Sequence, residues 1–157
     1  MRCTSKRIIL LLFLIAGLVL RASPATPFRV GLFVGDAEVA PLLEATKALA
    51  APDVEFRIFT DAHTGNPDME AFIRTMDAGV LDIMQRQPGQ WLLDARARVR
   101  KGAHLYAVRS GSSTDAYAKA GWRLDPELRA YFNHPSKENL QGLLALLLHR
   151  HLGRSEA

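Results

Sequence analysis

The stretch FRVGLFVGD, residues Phe28–Asp36, decides the fold of this chain. Its first seven residues are mostly apolar, β-branched or aromatic, and Gly35 and Asp36 end the run. A short run of this composition predicts a buried strand. The segments that follow determine what covers that strand.

Helical and extended patterns alternate after this strand. Residues 37–51, AEVAPLLEATKALAA, have helical spacing with Asp36 as the N-cap. The predicted apolar face consists of Val39, Leu42, Leu43, Thr46 and Leu49. Residues 54–60, VEFRIFT, alternate apolar and polar side chains, which predicts a second strand near the edge of a sheet.

The alternation continues through the middle of the chain. Asn66 caps a predicted helix that has Pro67 at its first position and ends at Gly79. Three segments follow: a strand at 80–84 (VLDIM), a helix at 90–102 (QWLLDARARVRKG) and a strand at 103–110 (AHLYAVRS). A closing segment then leads to a terminal helix.

This order of elements predicts one α/β domain. Strands that alternate with helices pair in parallel through right-handed crossovers, which gives a three-layer, flavodoxin-like sheet. Ligands of such sheets bind at the carboxyl ends of the strands. The residues expected at that edge are Gly35, Asp36, Asp61, His63, Gln85, Arg86 and the RSGSST loop at 109–114.

The N-terminal segment has the pattern of a signal peptide. Three basic residues precede the uncharged run from Ile8 to Leu20, and small residues follow Arg21. A run of this length rises about 20 Å as a helix, whereas a bilayer core is about 30 Å thick. We expect a signal peptide at 1–25, cleaved before Thr26 or after Ala22, and a periplasmic or secreted domain at 26–157. An uncleaved membrane anchor is the alternative.

Cleavage would change both the cysteine count and the charge. Cys3 is the only cysteine, so the mature chain would have no disulfide and no thiol chemistry. Four of the twenty basic residues lie in the leader, which has no acid, so sixteen basic and sixteen acidic residues remain. A neutral domain does not indicate nucleic acid or an anionic membrane as a partner. We expect no membrane span after cleavage.

The terminal segment combines a polar entrance with a leucine stripe. Leu140, Leu143, Leu144, Leu147, Leu148 and Leu152 have the spacing of one helical face, which predicts packing against the sheet. Pro135 or Ser136 is expected to start this helix, and Glu138 in its first turn favours the positive end of the helix dipole.

A phosphoacceptor receiver domain is the first alternative that the motifs exclude. The stretch VLDIMQRQPG superficially resembles the receiver segment with its acceptor aspartate, here Asp82. A receiver also needs adjacent acids after the first strand, a proline nearer than Pro88 and a lysine where His134 stands. The chain lacks all three.

Two longer stretches are similar to the N-terminal region of the large subunit of cobaltochelatase and of the related magnesium chelatase. They are residues 80–111 (VLDIMQRQPGQWLLDARARVRKGAHLYAVRSG) and 124–153 (LDPELRAYFNHPSKENLQGLLALLLHRHLG). The residues that carry the resemblance in the second stretch are Tyr131, Phe132, Glu138, Asn139, Leu140, Leu143 and Leu144. The resemblance implies a tetrapyrrole or corrinoid, of the haem or cobalamin type, as possible ligand. Because those large subunits are very long and work with ATP-driven partners, it implies no catalytic residue here.

Eight side chains are candidates for ligand contact. His63 in a polar loop and His134 at the helix entrance are candidate axial or metal ligands. Arg109 with the hydroxyl-rich loop that contains Ser112 could hold an anion such as a propionate. Trp122 could cover an apolar ligand, with core packing as the alternative. The remaining candidates are Asp36, Glu138 and Asn139.

Other chemistry is not supported by the motifs. The chain has no metalloprotease-type histidine spacing, no Gly-x-Ser-x-Gly elbow and no Walker or dinucleotide-binding loop. His149 and His151 lie about 200° apart on a helix, so they cannot share a metal, and we assign them and His104 structural roles. The metal content is left open.

These observations favour an exported, non-catalytic binding or accessory module. Its expected partner is a tetrapyrrole or corrinoid, or a periplasmic or envelope protein that carries one. The alternatives are a protein-interaction domain without a small ligand and one part of a split metal chelatase.

Overall fold

The computed structural model describes residues 26–82, 84, 86–109 and 114–154. The strands are β1 (Phe28–Phe33), β2 (Val54–Phe59), β3 (Ala78–Leu81), β4 (His104–Ala107) and β5 (Arg123–Leu124). The helices are α1 (Asp36–Ala48), α2 (Pro67–Ile73), α3 (Arg86–Asp94), α4 (Thr114–Lys119), α5 (Pro126–Phe132) and α6 (Lys137–Leu152). Short 3₁₀ turns occupy Asp61–His63 and Arg96–Arg98. The predicted signal peptide lies outside the described residues.

The strands form one parallel sheet in the order β2-β1-β3-β4-β5. Strand β1 pairs with β2 over its whole length, from Phe28 opposite Val54 to Phe33 opposite Phe59. The chain leaves β1 toward β2 on one side and returns to β3 on the other, which makes the carboxyl end of β1 the switch point of the sheet. The predicted flavodoxin-like fold and the edge position of β2 are therefore confirmed. The two-residue strand β5 was not predicted.

Helices cover both faces of the sheet and bury two cores. Helices α1, α5 and α6 pack on one face, where Val30, Leu32 and Val34 point. Helices α2, α3 and α4 pack on the other, around Phe33 and Trp122. The fully buried members of both cores lie between residues 30 and 148, so the segment from Thr26 onward contains a complete domain core. None of the described helices has the length and apolar character needed to cross a bilayer.

Several predicted boundaries and faces are wrong in detail. Gly79 does not end α2; it lies buried inside β3, opposite Gly31 of β1, and α2 already ends at Ile73. Met76 and Phe33 fill the space above this glycine pair. The predicted helix at 90–102 begins earlier, at residue 86, and gives way to a 3₁₀ turn after Asp94.

Helix α1 also differs from its prediction. Its N-cap is Gly35, and Asp36 is its first residue, exposed to solvent. The buried face runs through Glu38, Leu42 and Ala45, whereas Leu43 is 46% exposed. The charged side chain of Glu38 therefore lies in the protein interior.

Helix α6 matches its prediction closely. The Ser136 hydroxyl accepts a hydrogen bond from the Asn139 backbone N–H at 3.2 Å, which makes Ser136 the N-cap. Five of the six predicted leucines are buried, and Leu152 at the end of the helix is 37% exposed. Gly153 ends the helix in the left-handed conformation, with φ of 65°.

A glycine in α6 allows α5 to approach closely. A Cβ atom at Gly142 would lie 2.6 Å from Cε1 of Tyr131, a contact too short for any side chain. Tyr131 is half-buried and packs against the core between α6 and the sheet. The space above Gly142 is therefore needed by the tyrosine ring.

We predict that Gly142→Ala lowers the free energy of unfolding by about 1 to 2 kcal/mol, because the clash outweighs the better helix propensity of alanine. Urea unfolding of the two proteins measures the change. In a Tyr131→Ala background the clash is absent, and the same substitution should be neutral or stabilising. A loss of equal size in both backgrounds would contradict this account.

Candidate functional site

Three charged side chains meet at the carboxyl edge of the sheet. Glu38 comes from the first turn of α1, Asp82 directly follows β3, and Arg109 lies two residues beyond β4. Arg109 Nη2 donates to Glu38 Oε1 at 3.0 Å, and its Nη1 lies 3.4 Å from Asp82 Oδ2. We call these three residues the Arg109 cluster.

The Arg109 cluster is mostly buried. Asp82 is 0% exposed and Glu38 is 6% exposed, so both carboxylates need a compensating positive charge. Asp82 Oδ1 also accepts a hydrogen bond from the Met84 backbone N–H at 3.0 Å. The guanidinium lies over the ring of Phe132 in α5, with Cζ 5.0 Å from the ring centroid. The cluster therefore ties α1, the ends of β3 and β4, and α5 together.

Two members of this cluster were not among the predicted site residues. Asp82 falls inside the predicted strand at 80–84, whereas β3 ends at Leu81 and places Asp82 on the ligand edge. Glu38 lies outside the predicted apolar face of its helix, and charged residues are mostly exposed. The signal that could have found it is the spacing of Glu38 with Leu42 and Ala45, one helical face.

His63 serves as a local cap in the structure. Its Nδ1 accepts the Thr60 backbone N–H at 3.1 Å, and the ring lies edge-on to Phe59 at 6.0 Å. A neutral ring with an accepting Nδ1 carries its proton on Nε2. To bind a metal through Nε2, His63 would have to change tautomer and give up the Thr60 bond.

The candidates at the entrance of α6 lie together on its first turn. His134 is exposed, and its carbonyl oxygen accepts hydrogen bonds from Ser136 N at 2.7 Å and Asn139 Nδ2 at 2.8 Å. Glu138 is exposed, and Asn139 is half-buried. The amide of Asn139 thus holds the turn that carries His134, and the imidazole faces solvent.

The other candidates are dispersed. Trp122 is 1% exposed and packs edge-on against Phe33 at 6.3 Å, so it is a core residue that no surface ligand can reach. Ser112 lies outside the described residues. Arg109 contributes to the Arg109 cluster, and Asp36 lies on the same edge at the start of α1. His63 contacts Phe59, which belongs to the core under α2 and α3, whereas His134 lies between α5 and α6 on the other face, so one ligand does not join them.

A second group of polar side chains lies at the amino end of the sheet. The His151 ring stacks on His104 with centroids 3.9 Å apart, and His151 Nε2 lies 2.8 Å from the Tyr106 hydroxyl. Arg123 Nη2 donates to the same hydroxyl at 2.9 Å. Since a guanidinium only donates, the hydroxyl accepts from Arg123 and can donate a hydrogen bond to Nε2 of a neutral His151. The structural role predicted for these histidines fits this geometry.

Burial lowers the pKa of His151 below its usual value, and the positive charges of His104, Arg123 and Arg150 lower it further. Protonation would therefore oppose both the tyrosine hydrogen bond and the surrounding charges. Within the described residues, no three His, Asp or Glu side chains are close enough together to hold a metal ion.

Two cavities lie away from the carboxyl edge. The first, of about 350 Å³, runs between the end of α1 and the length of α6 and is lined by Ala48, Leu49, Glu138, Gln141, Gly142, Ala145, Leu148 and Arg154. The second, of about 680 Å³, is at the amino end of the sheet and includes Thr26, Phe28, Arg29, Arg74, Arg100 and Leu152. Both volumes fall in the range of small-molecule pockets.

Comparison of the chain with protein-family models, with curated proteins and with solved structures finds no match.

We predict that Arg109→Ala lowers the free energy of unfolding by about 3 kcal/mol at neutral pH, because it removes the guanidinium that pairs with the buried carboxylates of Glu38 and Asp82. Urea unfolding at neutral pH measures the loss.

Arg129→Ala is the matched control, since it removes a partly exposed arginine from α5 outside the cluster. It should change the stability by no more than about 0.5 kcal/mol. If Arg109→Ala were as harmless as this control, the Arg109 cluster would not hold the carboxyl edge together.

We predict that acid weakens the folded state through His151. Its pKa is lowered by folding, so below about pH 6.5 the unfolded chain binds a proton that the folded protein excludes. The free energy of unfolding should therefore fall as the pH drops below that value, until the lowered folded-state pKa is reached. His151→Gln should flatten this dependence, whereas His149→Gln on the same helical turn should leave it as in the wild type. Equal pH profiles for all three proteins would exclude His151 as the cause.

Proposed function

We propose that the chain is an exported, non-catalytic accessory module that binds a tetrapyrrole or corrinoid, or a protein that carries one. The proposal rests on the resemblance of residues 80–111 and 124–153 to the large subunit of metal chelatases. The doubly wound fold is compatible with it, because such folds commonly hold ligands in clefts between their elements. On this proposal the domain acts in the periplasm or outside the cell.

The observation that carries the proposal is the cavity between α1 and α6. Five of its lining residues, from Glu138 to Leu148, belong to the second stretch of the resemblance. Leu49, Ala145 and Leu148 supply apolar surface, and Glu138 and Arg154 supply charges. A groove with an apolar wall and a few charged groups suits a flat macrocycle with polar substituents.

The carboxyl edge is a poorer place for the ligand. The guanidinium of Arg109 is already engaged by Glu38 and Asp82, so an incoming propionate would have to displace a buried carboxylate. We therefore place the ligand on the face of α6 and not at the carboxyl edge of the sheet, where ligands of this fold usually bind. His134, which lies one turn before Glu138, becomes the better candidate for an axial ligand.

A protein-interaction domain is the second candidate function. The ion pairs at the carboxyl edge favour it, because the cation of Arg109, at the usual ligand edge of this fold, is already paired with Glu38 and Asp82. A role as one part of a split chelatase would need additional subunits to supply the chemistry.

The test is an absorbance titration of residues 26–157 with haemin and with a cobalt corrinoid. We expect a saturable spectral change that is abolished by Ala145→Phe, which fills the α1–α6 cavity, and retained by Ala116→Phe on the exposed face of α4. His134→Ala should alter the spectrum of the bound ligand more than His63→Ala. Flat titrations of the folded protein would exclude the tetrapyrrole module and leave partner binding as the function.

A further inference from the structure

The neutral charge of the domain conceals two oppositely charged ends. Most of the acidic residues in the first turns of helices lie at the carboxyl end of the sheet: Asp36, Glu38, Asp68, Asp115 and Glu138. Two further first-turn acids, Glu70 and Glu127, pair with arginines of the other end. Basic residues lie at the opposite end, in the last turns and the loops beyond them: Lys47, Arg74, Arg98, Arg100, Lys119 and Arg150. The expectation of no electrostatic footprint came from the sum of charges, which does not describe where the charges lie.

Five arginines pair with three acids around α2 and the neighbouring strands β1 and β2. We call Arg29, Arg57, Arg74, Arg98 and Arg100 the arginine face. Arg29 and Arg57 share Glu55, with N–O distances of 2.8 and 2.9 Å. Arg74 and Arg98 share Glu70, at 2.7 and 3.0 Å, and Arg100 pairs with Asp77.

Glu55 and Glu70 are each shared by two guanidiniums, so these five arginines with three carboxylates leave this surface positive. Hydrogen bonds from Arg74 and Arg98 hold the pKa of Glu70 below its usual range, so the acid stays charged and still cannot neutralise both arginines. The side chains of Arg57, Arg74, Arg98 and Arg100 are between 41% and 53% exposed. Each therefore retains donors that can reach an external anion.

Aromatic rings hold part of the face in place. The Cζ atoms of Arg29 and Arg57 lie 4.5 and 5.6 Å from the centroid of the Phe72 ring, and that of Arg98 lies 5.5 Å from the Trp91 ring. Cation–π contacts of this kind restrain long side chains that would otherwise be mobile. The binding groups are thus ordered before any partner arrives, which reduces the entropy cost of binding.

The position of Thr26, the first described residue, indicates which partner the arginine face binds. Thr26 and Pro27 line the same cavity as Arg29, Arg74 and Arg100. Only residues 21–25 separate Thr26 from the apolar run that ends at Leu20, and five residues span at most about 18 Å. While the apolar run is in a membrane, the arginine face is held next to the lipid headgroups.

We propose that the arginine face docks the domain on a bilayer that contains anionic phospholipid. The guanidiniums bind lipid phosphates, and Leu152, 37% exposed in the same cavity, faces the headgroup layer. The acidic first turns of the helices then point away from the membrane. Attraction of the arginines to the lipid phosphates and repulsion of the acidic side chains by them therefore favour the same orientation of the domain. This docking is independent of the ligand proposed for the α1–α6 cavity.

The test measures co-sedimentation of residues 26–157 with vesicles of phosphatidylcholine alone or mixed with phosphatidylglycerol. This segment contains the whole core, and its circular dichroism and urea midpoint confirm folding before each assay. We expect binding to the phosphatidylglycerol vesicles at low salt that weakens as salt is added, and no binding to phosphatidylcholine alone. Arg74→Glu combined with Arg98→Glu should weaken binding by at least about tenfold.

The matched control is Arg129→Glu combined with Lys137→Glu, which makes the same change in net charge on the other face of the sheet. It should bind as the wild type does. The proposal is overturned if the two double variants behave alike, if phosphatidylcholine binds equally well, or if the domain binds heparin but no vesicle. The last result would assign the face to a soluble polyanion.

Discussion

The burial of β1 on both of its faces is the constraint on which the structure depends. Val30, Leu32 and Val34 point into one core, and Phe33 points into the other. A strand without a solvent-exposed face must have strands on both sides and helices above and below, which only a doubly wound arrangement supplies to a single short domain. The parallel order and the switch point beside β1 follow from this requirement.

The fold could be predicted from the sequence because its signals are local and repeated. Short apolar runs, helical spacing and a cap such as Asn66 each describe a few consecutive residues, and together they require parallel pairing. Boundaries were harder because packing decides them. Gly79 resembles a helix stop in isolation, yet its missing side chain makes room for Met76 and Phe33 inside the sheet. Strand β5 has two residues and no periodicity to detect.

The polar sites could be predicted much less well, because they depend on contacts between distant segments. Arg109 was singled out, but its two carboxylate partners lie 71 residues before it in α1 and at the end of β3. Glutamate is usually exposed, whereas Glu38 is buried. Only the folded structure shows that Arg109, distant in the sequence, compensates for its charge. The charged ends of the domain were not predicted for a related reason. The net charge does not show where in the structure the charged side chains lie.

The paired carboxyl edge and the cavities elsewhere together bear on how this domain can act. In most sheets of this kind ligands bind at the carboxyl edge. Here Arg109 is paired with Glu38 and Asp82 at that edge, and the two cavities described above lie between α1 and α6 and beside the arginine face. A domain arranged in this way can use one end to orient itself on a charged surface while the α6 groove remains accessible from the side. The groove lies along α6 and most of the arginine face lies with α2 and α3, and the two adjoin where Arg154 of the groove pairs with Asp53 of the other cavity.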